Sequence, residues 1–311
     1  MIRRTTSILA FLLVFDLAGR AQDAFSGGAQ RSALGGALSD SINKLAGPAR
    51  GRVGTYIQDL ESADSCSTNG HEHFSMLSVF KFPLALYVLD QVDKGKLSLE
   101  QPIEIRKKEW GRMWSPLLNK YKEKRVSLPL QEVLAATVGS SDNVGCDLLF
   151  RLVGGPEVVN AYIHRLGVEE INIVATEMQM AADWNVQYQN WSTPFAMNLL
   201  LQKFYTGQVL SPTSTKLLLQ WMIESNSPKR IQGLLPAGTV VAHKTGTSNT
   251  NAAGLTAATN DVGIITLPHN HHLIVVVYVS DAMADAATRE NVISRIAKAA
   301  YDGYEGGRMI R

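Results

Sequence analysis

Three short runs in this sequence carry the residue types that covalent attack on a carbonyl needs. Ser78 and Lys81 stand three apart in Phe74-Ser75-Met76-Leu77-Ser78-Val79-Phe80-Lys81-Phe82-Pro83. On a helix that spacing puts both side chains on one face, where an amine reaches a hydroxyl and can activate it as a nucleophile. The pattern is weak alone, since a second copy, Ser41-Ile42-Asn43-Lys44, lies upstream. What separates the two copies lies further along the chain. Ser141-Asp142-Asn143 falls at the start of an expected helix, and Lys244-Thr245-Gly246 at the end of an expected strand. In that order the runs offer a nucleophile with an amine, a second hydroxyl beside an amide, and a cationic strand end, a set suited to serine acyl transfer.

Periodicity shows which elements must hold them. Residues 29–46 repeat as a helix that Gly47-Pro48 ends, and 52–59 alternate Val53, Tyr56 and Ile57 among polar residues as a strand does. Glu61-Ser62-Ala63-Asp64 reads as a hairpin turn. Helical patterns cover 79–94, 130–138, 143–153, 157–166, 195–204 and 213–224, with Gly154-Gly155-Pro156 and Ser192-Thr193-Pro194 at boundaries. Residues 167–192 are polar without a clear period, and a loop of that length in a compact domain tends to be functional. Strands return at 239–244, 261–267 and 273–280, the last two joined through Pro268-His269-Asn270, before a closing helix over 284–304. The order predicts an α/β fold with an all-α insertion: an antiparallel sheet from both chain ends, flanked by helices. Residues 22–70 plus 225–311 form the expected discontinuous sheet domain and 71–224 the helical domain.

Composition narrows the classes. With 311 residues, 45% hydrophobic and 19% charged, the chain can bury a sizeable core and is neither disordered nor fibrous. Arg3 and Arg4, the apolar run 8–15 and Gly19-Arg20-Ala21 read as an export signal spanning 1–21, although Asp16 shortens the apolar part and a buried helix is the competing reading. Removing it takes Arg3, Arg4 and Arg20 against Asp16, so the formal charge of +2 falls to near neutral. Neither nucleic acid nor a membrane surface is then an expected partner. No later run approaches the length of a membrane span, and no cysteine near Ala21 offers a lipid anchor. Cys66 and Cys146 are too few for a disulfide framework. Cys146 lies in an apolar run that suits a buried free thiol; a bridge between the two stays open.

With Ser78-Val79-Phe80-Lys81-Phe82-Pro83, Ser141-Asp142-Asn143-Val144-Gly145-Cys146-Asp147, Gln187-Tyr188-Gln189-Asn190-Trp191 and Ala242-His243-Lys244-Thr245-Gly246-Thr247, the chain resembles the class A serine β-lactamases over nearly its whole mature length. In these details it resembles the branch that includes the VEB and PER extended-spectrum enzymes. The resemblance implies a sheet domain facing a helical domain with the site between them, and a secreted, periplasmic monomer acting on small β-lactams without cofactor or metal. Ser78 would be the nucleophile and Lys81 its activator, with the backbone N–H groups of Ser78 and Thr247 holding the oxyanion. Ser141 would pass a proton to the leaving nitrogen beside Lys244, and Asn143 would bind the substrate's side-chain amide. Lys244, Thr245, Gly246 and Thr247 match the wall that receives a carboxylate, and Arg230 stands where this branch supplies a guanidinium; a solvated charge beside Lys229 is its alternative. Trp114, in Trp114-Ser115-Pro116, matches an aromatic at the cleft entrance, with a core indole as the alternative.

Glu177, in Ala175-Thr176-Glu177-Met178-Gln179-Met180, matches the family's general base for deacylation. Two departures surround it. The asparagine that family members carry four residues later is Ala181 here, and the arginine–aspartate pair that ties their loop is Ala175 and Asn190. The resemblance therefore implies a loop closed without that ion pair and a wider cleft. Two other readings share the motifs: a penicillin-binding transpeptidase or carboxypeptidase, and a receptor domain that stays acylated. The clusters His71-Glu72-His73 and His269-Asn270-His271-His272 lack the further ligands of a zinc site and are expected as solvated loop histidines. The run 120–125 is expected as a solvated face.

Overall fold

The structure, a computed structural model, describes residues 33–110, 113–121, 123–268 and 271–306. The expected export signal 1–21, residues 29–32 of the first expected helix, and His269 and Asn270 of the last hairpin lie outside them. In chain order the elements are α1 (Ala33–Ala46), β1 (Arg52–Asp59), β2 (Ser65–Thr68), β3 (Phe74–Ser75), α2 (Lys81–Asp93), β4 (Pro102–Arg106), α3 (Pro116–Lys120), β5 (Arg125–Pro129), α4 (Leu130–Gly139), α5 (Asn143–Val153), α6 (Pro156–Arg165) and β6 (Ile171–Asn172). Then follow α7 (Glu177–Ala182), β7 (Trp191–Ser192), α8 (Pro194–Tyr205), α9 (Pro212–Ile223), β8 (Val241–Thr247), β9 (Thr256–Leu267), β10 (His271–Ala282) and α10 (Ala286–Gly306).

Both ends of the chain build one antiparallel sheet in the order β2-β1-β10-β9-β8. Arg52 pairs with Ser280 and Asp59 with Leu273, so β1 reaches across the whole intervening chain for its partner. Strand β10 is buried on both faces, and its period of two divides it between two cores. Val275, Val277 and Val279 pack with Leu38 and Ile42 of α1 and with the stripe Val292, Ile293, Ile296, Ala297 and Ala300 of α10. Ile274, Val276 and Tyr278 face the larger core built around α2. Helix α2 is apolar around most of its circumference, with Phe82, Leu84, Ala85, Leu86, Val88 and Leu89 all buried, because α4, α5, α6 and α9 surround it.

Two features that position the site differ from the sequence expectation. The helix expected from residue 79 begins at Lys81, and Leu77–Phe80 form a tight 3₁₀ turn ahead of it. Pro83 then falls in the first turn of α2, where backbone N–H groups have no intrahelical acceptor to lose. The stretch 167–192 is not irregular throughout: it contains β6, α7, a 3₁₀ turn over Trp184–Tyr188, and β7, which pairs with both β3 and β6. Two residues per strand are too few for a periodic signal. The ribbon β4–β5 is likewise unannounced; Arg125, on the expected solvated face, begins β5 and pairs with Glu104. No helix among the described residues is long and apolar enough to cross a membrane.

Candidate active site

Two non-glycine residues with left-handed backbone present the reactive side chains. Leu77 (φ 45°) precedes Ser78 at the 3₁₀ turn, and Ser141 (φ 53°) precedes the N-cap of α5. Such backbone costs roughly 1–3 kcal/mol per residue and persists only where the surroundings impose it. Around Ser141 the restraint is Asp142, which caps α5 through Gly145 N (2.7 Å) and accepts from Ser115 Oγ (2.7 Å) and Leu117 N (2.8 Å). Around Leu77 it is β8: a methyl on Gly246 would stand 2.2 Å from Met76 O and 3.3 Å from Leu77 Cβ, so only glycine lets the strand lie this close to the turn.

Ser78, Lys81, Ser141, Asn143, Glu177 and Lys244 converge. Lys81, wholly buried, donates from Nζ to Ser78 Oγ (3.0 Å), Ser141 O (2.8 Å) and Asn143 Oδ1 (2.6 Å), and pairs with Glu177 Oε1 at 2.8 Å. Ser78 Oγ donates to the same Glu177 oxygen at 3.2 Å. Lys244 Nζ donates to Ser141 Oγ (2.9 Å) and Thr245 O (2.9 Å). Burial, and then the charge of Lys81, hold the Lys244 ammonium well below the ordinary lysine range. An anion brought beside it would act in the opposite direction and favour the charged form. The upstream copy, Ser41 and Lys44, lies exposed on α1 with Ser41 Oγ bonded to Ala37 O.

A cleft of about 740 Å³ opens on this cluster. Ser78, Ser141, Asn143, Glu177, Thr245 and Thr247 line it, and Trp114, 62% exposed, stands at its wall, which excludes the core alternative for that indole. Strand β8 is the free edge of the sheet. Because Ser248 N bonds Ala258 O (2.9 Å), the antiparallel alternation leaves the Thr247 N–H on the unpaired side.

Two expected contacts need correction. Gly246 is buried against Met76 and does not line the cleft, so its part is close approach and not substrate contact. Arg230 is neither a solvated charge nor open to the cleft. It is 2% exposed, pairs with Glu290 and donates to Gly246 O (3.0 Å), Asn260 O (2.8 Å) and Thr247 Oγ1 (2.8 Å). Its guanidinium stands behind β8 and reaches the cleft through the Thr247 hydroxyl.

The family model described as "Beta-lactamase enzyme family" matches residues 37–304. The extended-spectrum β-lactamase PER-1 of Pseudomonas aeruginosa is 44% identical over 274 residues, covering 88% of this chain and 89% of its own. The β-lactamase VEB-1 of the same organism is 42% identical over 257 residues, covering 81% and 85%. Among solved structures, a β-lactamase from Chitinophaga pinensis is 51% identical with a TM-score of 0.84, over 86% of this chain and 99% of that one. The chain belongs to the β-lactamase enzyme family. It is a class A serine β-lactamase.

This β-lactamase closes the loop before its candidate base with an amide. Asn190 Oδ1 accepts the N–H groups of Val174 (2.8 Å) and Ala175 (2.9 Å), Nδ2 donates to Ala175 O (2.8 Å), and Asn190 O accepts Met76 N (2.9 Å). One buried side chain therefore ties the loop to itself, and its backbone ties it to the segment before Ser78. Glu177 begins α7 behind a capping box of Thr176 and Gln179. Asp147 of α5 takes the N–H groups of Glu177 (2.8 Å) and Met178 (2.9 Å).

Sequence reasoning assigned no role to Asp147 and no contacts to Asn190, although both lie in stretches that carry the family resemblance and Asp147 falls on the buried face of α5. Cys66 and Cys146 of this β-lactamase are both buried and form no disulfide, so the open question of a bridge is answered. Against expectation, His272 is not a solvated loop residue. It lies buried in β10 with Nδ1 2.8 Å from Glu61 Oε1 and its N–H on Glu61 Oε2. Asp59, Glu61 and His271 have ligand atoms within 4.8 Å of one another. Glu61 already accepts from His272, and Asp59 from the N–H groups of Glu61 and Ser62, which accounts for the cluster as a hydrogen-bonded hairpin. His71 is exposed beside Glu170, and His73 stacks on Trp191.

Proposed function

We propose that this β-lactamase hydrolyses penicillins and cephalosporins by acylating Ser78 and releasing it with water activated by Glu177. The observation that carries the reading is the shared contact at Glu177 Oε1, which meets both Ser78 Oγ and Lys81 Nζ. In acylation Ser78 Oγ bonds the lactam carbonyl carbon, and its proton leaves to the Lys81–Glu177 pair. The oxyanion meets the N–H groups of Ser78 and Thr247. The C–N bond breaks as Ser141 gives its proton to the nitrogen and is reprotonated from its lysine neighbours. Thr245 and Thr247 receive the substrate carboxylate in front of the buried Lys244, with Arg230 holding Thr247 from behind, Asn143 meets the side-chain amide, and Trp114 stacks at the entrance.

In deacylation a water oxygen bonds the acyl carbon while Glu177 takes one of its protons. The bond to Ser78 Oγ then breaks, and that proton returns to the serine. Mass spectrometry of the intact protein after mixing with a penicillin separates this route from the alternatives. The native protein is expected to show no lasting adduct, whereas Glu177→Ala should hold one at Ser78, with turnover slowed by roughly 10²–10⁴-fold or more. In that variant Lys81 alone accepts the serine proton. A lasting adduct on the native protein would instead establish an acylated receptor, and an adduct on Ser78→Ala would remove the nucleophile assignment.

We infer that residues 1–21 direct export to the periplasm and are removed, and that the mature protein is a monomer. Its sheet domain comprises 22–70 with 225–311, and its helical domain 71–224. N-terminal sequencing of protein from the periplasmic fraction and sedimentation of the mature form test the first two statements.

A further inference from the structure

Deacylation asks more of its water than one base. A water that gives one proton to Glu177 keeps a lone pair on the acyl carbon only if its second O–H is held by another acceptor. One helical turn after Glu177, the side chain of Ala181 is a methyl group and accepts nothing. Glu177 and Ala181 line the cleft together with Gln187, which belongs to the 3₁₀ turn packed against α7.

The Gln187 side chain is 5% exposed, and its orientation is set from two sides. Nε2 donates to Trp184 O at 2.8 Å, and the backbone carbonyl of Gln187 accepts Ser75 Oγ at 2.6 Å. With the amide nitrogen committed, Oε1 is the atom left over. It has no protein partner among the described residues, yet it is not sealed away, so solvent reaches it. Glu177 is arranged the same way: Oε1 meets Ser78 and Lys81, and Oε2 has no protein partner among the described residues. Two residues that line the cleft, on neighbouring turns of one loop, therefore each keep one uncommitted acceptor oxygen.

We propose that Gln187 Oε1 is the second acceptor for the hydrolytic water, doing from the 3₁₀ turn what the side chain of Ala181 cannot do from α7. The proposal rests on Glu177 being the deacylation base. The water gives one proton to Glu177 Oε2 as its oxygen bonds the acyl carbon, and the same proton goes to Ser78 Oγ as the ester bond breaks. Gln187 accepts a hydrogen bond from the other O–H throughout and exchanges no proton.

Rapid mixing with a chromogenic cephalosporin, read as separate acylation and deacylation rates, tests it. Gln187→Leu keeps roughly the volume and removes the acceptor together with the bond to Trp184 O; acylation should stay within about twofold while deacylation slows by roughly 10–100-fold. Ala181→Asn added to that variant should restore deacylation to within about fivefold of native, since an amide one turn after Glu177 supplies an acceptor to the same water. A role confined to loop packing would not be rescued in this way. Deacylation at the native rate in Gln187→Leu, or slowing of both steps without rescue, overturns the proposal.

Should Gln187→Leu not fold, Ala181→Asn alone decides. It should leave deacylation within about threefold of native, and a gain of about tenfold or more would mean that the native water has no second acceptor. Failure of the hydrolase reading looks different from all of these: the native protein would retain its adduct, or Glu177→Ala would turn over freely.

Discussion

Asp147 lies one helical turn beyond Asn143 on α5, and its two oxygens take the N–H groups that open α7. Burial raises its carboxyl from an ordinary 3.8 to about 6, against the lowering effect of those same N–H groups. An acid whose pKa rises on folding favours the native state where it is protonated. The stability from this group is therefore present below pH 3.8 and is lost as pH rises towards 6. Activity should move the other way, because only the ionised carboxylate accepts fully from both N–H groups. Asp147→Asn should accordingly lower kcat, with deacylation most affected, and flatten the limb near pH 6; pH–rate profiles with denaturant titrations at matched pH check both signs. At this scale the sequence was legible where residue type and spacing coincide, as for Ser78, Lys81, Ser141 and Lys244. It placed Asp147 and Gln187 inside stretches that carry the family resemblance but was silent on their roles, because a lone carboxylate or amide has no pattern until the fold supplies its partners. Arg230 was legible as to type but not direction, since nothing in the chain tells a guanidinium facing a ligand from one facing the back of a strand.

Helix α7 and strand β8 reach the cleft by different means, and each has a residue on which its placement turns. For β8 it is Gly246. Alanine there meets Met76 O, so the strand must retreat from the turn bearing Ser78. Gly246→Ala should cost about 1–3 kcal/mol of stability and lower acylation and deacylation together, as measured by denaturant melts and rapid mixing. For the loop before α7 it is Asn190. Removing its amide in Asn190→Ala strands two N–H groups and a carbonyl, a loss of about 2–4 kcal/mol by the same melts, with deacylation suffering more than acylation because Glu177 sits on the loosened segment. Long elements were legible to within a few residues because their apolar spacing repeats, as in α5, which begins and ends where its pattern does. The strands β3, β6 and β7 were not, since two residues pair only through neighbours distant in the chain.

The molecule's two apolar clusters share β10, alternate residues of which belong to each. Neither layer can lose its packing without exposing one face of that strand, so far-ultraviolet circular dichroism and tryptophan fluorescence should report one coincident unfolding transition. Separated transitions would show that the layers are not coupled through the sheet. With Cys66 and Cys146 both reduced and buried, the melting temperature should be the same with and without a thiol reductant. The sheet built from both chain ends was legible from the order of periodic segments, whereas the strand order was not, because composition cannot tell β10 from β9 as the partner of β1. That partnership also sets a timetable. During synthesis β1 emerges early with only the short β2 beside it, and a two-stranded ribbon is marginal at best in water. Its lasting neighbour, β10, is made near the end. A ribosome-bound chain therefore carries Val53 and Ile57 uncovered until the last strands arrive, and the central sheet is the part of the protein that chaperones must wait on longest.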